Sequence, residues 1–161
     1  MPRIYVGTYA KYTRGSLNGA WLDLEDYPCK QDFYEACAEL HEDEADPEFM
    51  FQDNEDIPSM FITECSIDVE FWDYMDCELD DEIKEAYVEL KERWNAEDCE
   101  SSYIGKFYGD TELGEHVVDE HGLLNGASEE LQCYFNYEAY GRDLRLSGDV
   151  REHNGHYFWA D

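Results

Sequence analysis

Any fold of this chain has to accommodate 41 acidic side chains with only 11 basic ones to pair them, a formal net charge of −30 over 161 residues. Unpaired carboxylates are almost never buried, so most of the surface is committed to one sign before any element is assigned. That excludes attachment to nucleic acid or to an anionic membrane through a basic face, because both need Lys/Arg clusters. No apolar run approaches the length of a membrane span, and the opening Met1-Pro2-Arg3-Ile4-Tyr5-Val6-Gly7 has no apolar signal core. The expectation is a soluble cytoplasmic protein that touches neither nucleic acid nor membrane directly.

Leu, Ile, Val and Phe make up just under a fifth of the residues, which at this charge is the composition of a disordered chain. Thirteen Tyr and four Trp supply the missing buriable surface, and the apolar residues recur with clean periods. The chain therefore reads as folded. Cys29, Cys37, Cys65, Cys77, Cys99 and Cys133 are scattered with no CxxC pair, so they read as small, buried thiols of a reducing compartment.

The charge is uneven. Residues 1–22 carry three bases and no acid, residues 23–100 a net −25, and residues 101–161 a net −8. The fold expected is α+β in an elongated chain of three lobes, residues 1–61, 62–100 and 101–161. In the first lobe, strands are expected at 4–9, 20–24 and 49–51 around a helix at 32–40. The middle lobe is expected to be helical, over 67–79 and 81–94. The third is expected to have strands at 103–108 and 156–159, a helix at 111–121 stopped by Gly122, and a helix after a Ser128 cap that buries Leu131, Tyr134 and Phe135.

Catalytic and metal readings fail on spacing. Residues 53–64 have the length of a calcium loop, but Pro58 stands where the turn needs Gly and Ile57 where an oxygen ligand is needed. His116 and His121 are five apart on one helix and do not converge as an i, i+4 pair would. His153 and His156 flank a turn at Asn154-Gly155. There is no nucleophile elbow and no phosphate-binding glycine loop. No catalytic residue, cofactor or metal is expected.

The helices instead carry rows of acids. At 100° per residue, Ile83, Ala86, Tyr87, Leu90 and Trp94 share one arc, while Asp81, Glu82, Glu85, Glu89 and Glu92 share another. Glu70, Asp73, Asp76 and Asp80 form a second row, and Asp32, Glu35, Glu39, Glu42 and Asp43 a third. Like charges at this spacing repel by a few tenths of a kcal/mol per pair, and a solubility surface normally mixes both signs. Thirty charges equal those of about 15 base pairs of duplex. The pattern suits a basic protein partner, either through imitation of DNA or as an acidic adaptor for a nucleoid or regulatory protein.

The sequence resembles the ArdA-type antirestriction proteins along its whole length. The resemblance is carried by Tyr5-Val6-Gly7-Thr8 with Lys11-Tyr12, by the run from Asp43 through Phe49 to Asp53, and most of all by Gly122-Leu123-Leu124 and the run from Tyr134-Phe135-Asn136-Tyr137 to Leu144. It implies three small domains in an elongated, curved dimer whose carboxylates stand in for phosphates in the DNA-binding channel of type I restriction–modification enzymes. The family's antirestriction motif maps within 123–137, to Leu123, Leu124, Leu131, Tyr134, Phe135, Asn136 and Tyr137. This chain has Gly126-Ala127 where the family usually has Val-Pro, and Asn136 where it has Asp. For the homodimer contact, the acid-free segment 103–108, with Tyr103, Ile104, Phe107 and Tyr108, is the expected surface.

Overall fold

The computed structural model describes residues 1–160, and the chain in it divides into two compact units, the first Met1–Glu78 and the second beginning at Leu79. Among the described residues, eight α-helices and two three-stranded antiparallel sheets make an α+β fold, as expected.

In the first unit the acid-free opening segment becomes the central strand. β1 (Arg3–Thr8) lies between β2 (Ala20–Asp23) and β3 (Phe49–Glu55), with Ile4 opposite both Leu22 and Asn54. Thr8 ends the strand and caps α1 (Tyr9–Thr13), its hydroxyl accepting the Lys11 N–H at 3.2 Å. α2 (Lys30–Leu40) buries Phe33 and Cys37, and the Phe33 ring packs 5.9 Å from that of Phe51. α3 (Glu70–Asp76) buries Phe71 and Trp72, and the Trp72 indole N–H donates to the Tyr27 carbonyl at 2.9 Å. This helix is shorter than the 67–79 expected. Ile67 is held in a bridge to Ile62, and Cys77 turns extended.

The second unit opens with α4 (Asp81–Leu90), capped by the Asp80 carboxylate, which accepts the Glu82 N–H at 2.9 Å. The helix stops short of the expected Trp94. Lys91 turns extended, and the Arg151 guanidinium donates to the Leu90 carbonyl at 3.0 Å. Trp94 is buried all the same, edge-on to Tyr87 at 5.5 Å. There follow α5 (Ala96–Ser102), β4 (Tyr103–Lys106), α6 (Asp110–His121), α7 (Glu129–Cys133), α8 (Tyr137–Ser147), β5 (Val150–His153) and β6 (His156–Trp159). The sheet order is β4-β6-β5, with the turn between β5 and β6 at Asn154-Gly155. Leu113 and Val117 of α6 form a core with Val150 and Tyr157, lined by Ile104, Phe107, Tyr140 and Leu144.

Two further expectations are corrected. The helix after Ser128 does start at that cap, whose hydroxyl accepts the Leu131 N–H. It runs only five residues and buries none, with Leu131 65% and Tyr134 82% exposed and Phe135 half-buried. The cysteines are not uniformly buried either. Cys37 and Cys99 are buried and Cys77 intermediate, whereas Cys29, Cys65 and Cys133 are exposed.

Candidate functional site: carboxylate rows and a C-terminal motif

Each unit carries its acids on the outer faces of the helices that build its core. In the first unit, Glu35, Glu39, Glu42 and Asp43 are exposed and Asp32 half-buried. Asp32 faces the Cys29 thiol at 3.3 Å, and Glu35 accepts from Gln31 at 2.9 Å. On α3, Asp73 and Asp76 are exposed and Glu70 is half-buried. In the second unit, Asp80, Asp81, Glu82, Glu85, Glu89 and Glu92 are all exposed. The alternation comes from the 3.6-residue period, which turns Ala86 and Tyr87 inward as it turns Glu85 and Glu89 outward.

The rows are not electrostatically uniform. Asp43 holds Lys11 at 2.8 Å, Asp81 holds Lys84 at 3.0 Å, and Glu82 takes Lys106 at 2.7 Å with the His156 ring at 3.4 Å. The Lys11 hydrogen bond holds the Asp43 carboxyl below the usual range, and the Lys106 hydrogen bond does the same for Glu82. Glu39, Glu42, Asp73, Asp76, Glu85, Glu89 and Glu92 face water with no side-chain hydrogen bond or ion pair among the described residues.

Sequence reasoning missed where the cations go. Lys11, Lys84 and Lys91 keep only 8%, 6% and 9% of their side-chain exposure, folded down beside Asp43, Asp81 and Asp98. Long lysine stems bury readily against apolar surface. The fold thus withdraws three of the five lysines, one in the first unit and two in the second. On the helical wheel Lys84 falls about 60° outside the apolar arc and midway to the acidic one, so the helical period gives no signal for its burial.

The residues expected within the antirestriction motif separate by environment. Leu123, Leu131 and Tyr134 are exposed. Leu124 and Tyr137 line a cavity of about 280 Å³ with Glu115, Asp119, Asn125 and Gln132. Phe135 packs on Tyr137 and Tyr140, with centroids 5.0 and 5.9 Å away. Asn136 caps α8, its side-chain oxygen accepting the Ala139 N–H at 2.9 Å. Asn and Asp cap equally well, so Asn136 in place of the expected Asp preserves the helix start. Gly126 has φ +84°, a conformation that a Val would adopt only under strain.

Of the four residues expected at a dimer contact, three are engaged within their own unit. The Tyr103 hydroxyl hydrogen-bonds His156 Nδ1 at 2.9 Å and its ring lies 5.1 Å from Phe158, while Ile104 and Phe107 pack on the core. Tyr108 is 97% exposed. Among the described residues, no group of three or more His, Cys, Asp or Glu side chains is placed to hold a metal ion, and no helix is long and apolar enough to cross a membrane.

A search of curated proteins finds no match to the chain. A family model described as "Antirestriction protein (ArdA)" matches residues 4–159, nearly the whole sequence. The chain belongs to the ArdA antirestriction family.

Proposed function

We propose that this member of the ArdA family blocks type I restriction–modification enzymes by occupying their DNA-binding channel, with exposed carboxylates standing where phosphates of duplex DNA would lie. The observation that carries the proposal is the withdrawal of Lys11, Lys84 and Lys91 beside Asp43, Asp81 and Asp98. Each unit keeps these acids outward and turns these lysines inward, and so presents a predominantly acidic surface to a basic channel. Each exposed carboxylate contributes little by itself, so affinity arises from many of them together and from displaced counterions, as it does for DNA.

The acids that fit this role are Glu35, Glu39, Glu42, Asp73, Asp76, Glu85, Glu89 and Glu92. Asp43, Asp81 and Glu82 serve first to hold lysines. The protein works as a homodimer in the cytoplasm, where restriction enzymes meet incoming DNA. The contact between copies is formed by the exposed apolar residues Leu131 and Tyr134, because Tyr103, Ile104 and Phe107 are occupied within the unit.

Such an inhibitor is consumed by binding and turns nothing over. Titrated against a fixed amount of purified type I enzyme, it gives a sharp endpoint at a simple molar ratio. Inactivation of the enzyme by substoichiometric amounts would overturn the proposal.

A further inference from the structure

Around Lys11 the first unit buries a hydrogen-bonded cluster that fixes the tautomer of one histidine. His41, just after α2, is 1% exposed. Its Nε2 lies 3.0 Å from the Val6 carbonyl oxygen on β1. A carbonyl only accepts, so Nε2 carries the hydrogen. Nδ1 lies 2.8 Å from the Lys11 ammonium, which only donates, so Nδ1 carries none. The arrangement therefore requires neutral His41.

Lys11 also donates to Asp43 at 2.8 Å and lies 3.7 Å from Glu44, which takes the Thr8 hydroxyl at 2.6 Å. The charged groups around the ring are thus Lys11 from α1 and Asp43 and Glu44 from the segment after α2. β1 contributes the Val6 carbonyl, and β3 contributes the apolar Phe49 ring at 6.4 Å.

A second proton on His41 would point Nδ1–H at the ammonium, donor against donor and charge against charge, where little water reaches. Asp43 and Glu44 draw positive charge into the cluster, but the position at Nδ1 is already taken. Lys11 must then withdraw, and the bond that holds Asp43 moves with it. We propose that Lys11 and neutral His41 form a proton-sensitive clasp that positions the acidic segment 42–48, and that acidification releases this segment. Residues 42–48 carry Glu42, Asp43, Glu44, Asp46 and Glu48, five acids in seven residues. The clasp stands on its own geometry. The role of the segment rests on the DNA-mimic reading.

The test is hydrogen exchange of the full-length protein between about pH 8 and pH 5, corrected for intrinsic rates. The probes are the Glu42 and Glu44 amides, which donate to the Glu39 and His41 carbonyls, with the β5–β6 hairpin as internal control. Protection of the two probes should fall about tenfold on acidification while the hairpin keeps its own. His41→Gln offers an amide N–H and a carbonyl for the two roles and does not titrate, so its protection should stay flat. Protection that stays flat in the wild type, or that falls equally in His41→Gln, overturns the clasp.

If His41→Gln does not fold, the wild-type series still decides the matter. An imidazole that titrates by NMR with no change at Glu42 and Glu44 overturns the clasp. In parallel, displacement of duplex from a type I enzyme should weaken with acid for the wild type relative to His41→Gln. Parallel displacement curves overturn the positioning role. If neither protein displaces DNA at any pH, the DNA-mimic reading fails and exchange alone judges the clasp.

Discussion

Gly114 on α6 faces Gly141 on α8 so closely that a Cβ on either would run into backbone of the other helix, Gly114 against the Tyr137 carbonyl and Gly141 against the Asp110 carbonyl. Backbone does not yield as a flexible side chain does. Gly141→Ala should therefore push the helices apart and open the core at Leu113 and Val117. We expect a loss of about 3 kcal/mol, read as a lower urea midpoint with unchanged slope. A variant as stable as the wild type would contradict this packing.

The same crossing is tied at its edge by an ion pair. Arg145 grips Asp110 with two bonds of 3.0 Å, and the Arg145 hydrogen bond holds the Asp110 carboxyl below its usual range. A carboxylate with a depressed folded pKa stabilises above its unfolded value and loses that contribution as pH falls through its folded value. Asp110→Asn should therefore cost about 1 kcal/mol at neutral pH, no more because the guanidinium is 40% exposed. The difference from wild type should vanish under acid conditions. Urea melts across the acid limb check both halves.

The carboxylates divide into two sets with different consequences. Replacing Glu85, Glu89 and Glu92 together by Gln should leave circular dichroism and Tm essentially unchanged while weakening inhibition, and each single change should do little. Asp81→Asn instead strips a partner from the buried ammonium of Lys84 and should lower Tm. If Glu85→Gln alone abolished inhibition, a specific site would replace distributed mimicry.

Assembly is tested at Leu131 and Tyr134. Changing both to Asp should give a folded monomer in sedimentation, because neither side chain belongs to the core. Tyr108→Asp should stay dimeric. The reverse outcome would move the contact to β4, which is an edge strand of its sheet.

Much of this fold was legible where periodicity and charge agree. The alternation around Ile4 and Val6 marks a strand, and the inward arc of Ile83, Ala86, Tyr87 and Leu90 marks α4. What escaped depended on tertiary partners. α4 stops at Leu90 because Arg151, 61 residues away, takes its carbonyl. α8 is absent from the sequence reading, and the Gly141 in its middle is explained only by Gly114 across the helix pair. Leu131 and Tyr134 read as core by period but lie on, and just after, a helix too short to bury a face. The acid rows were visible as sequence, whereas the burial of Lys11 and Lys91 depends on Asp43 and Asp98, which no helical spacing pairs with them.

The central claim is that this surface takes the place of DNA, and competition tests it most directly. Labelled duplex bearing the recognition site is bound to a purified type I enzyme, and the protein is added at increasing salt. Complete displacement of the duplex is expected, with mutually exclusive binding and an affinity that falls steeply as salt rises, as it does for DNA itself. A ternary complex of enzyme, duplex and inhibitor, or displacement indifferent to salt, would contradict it.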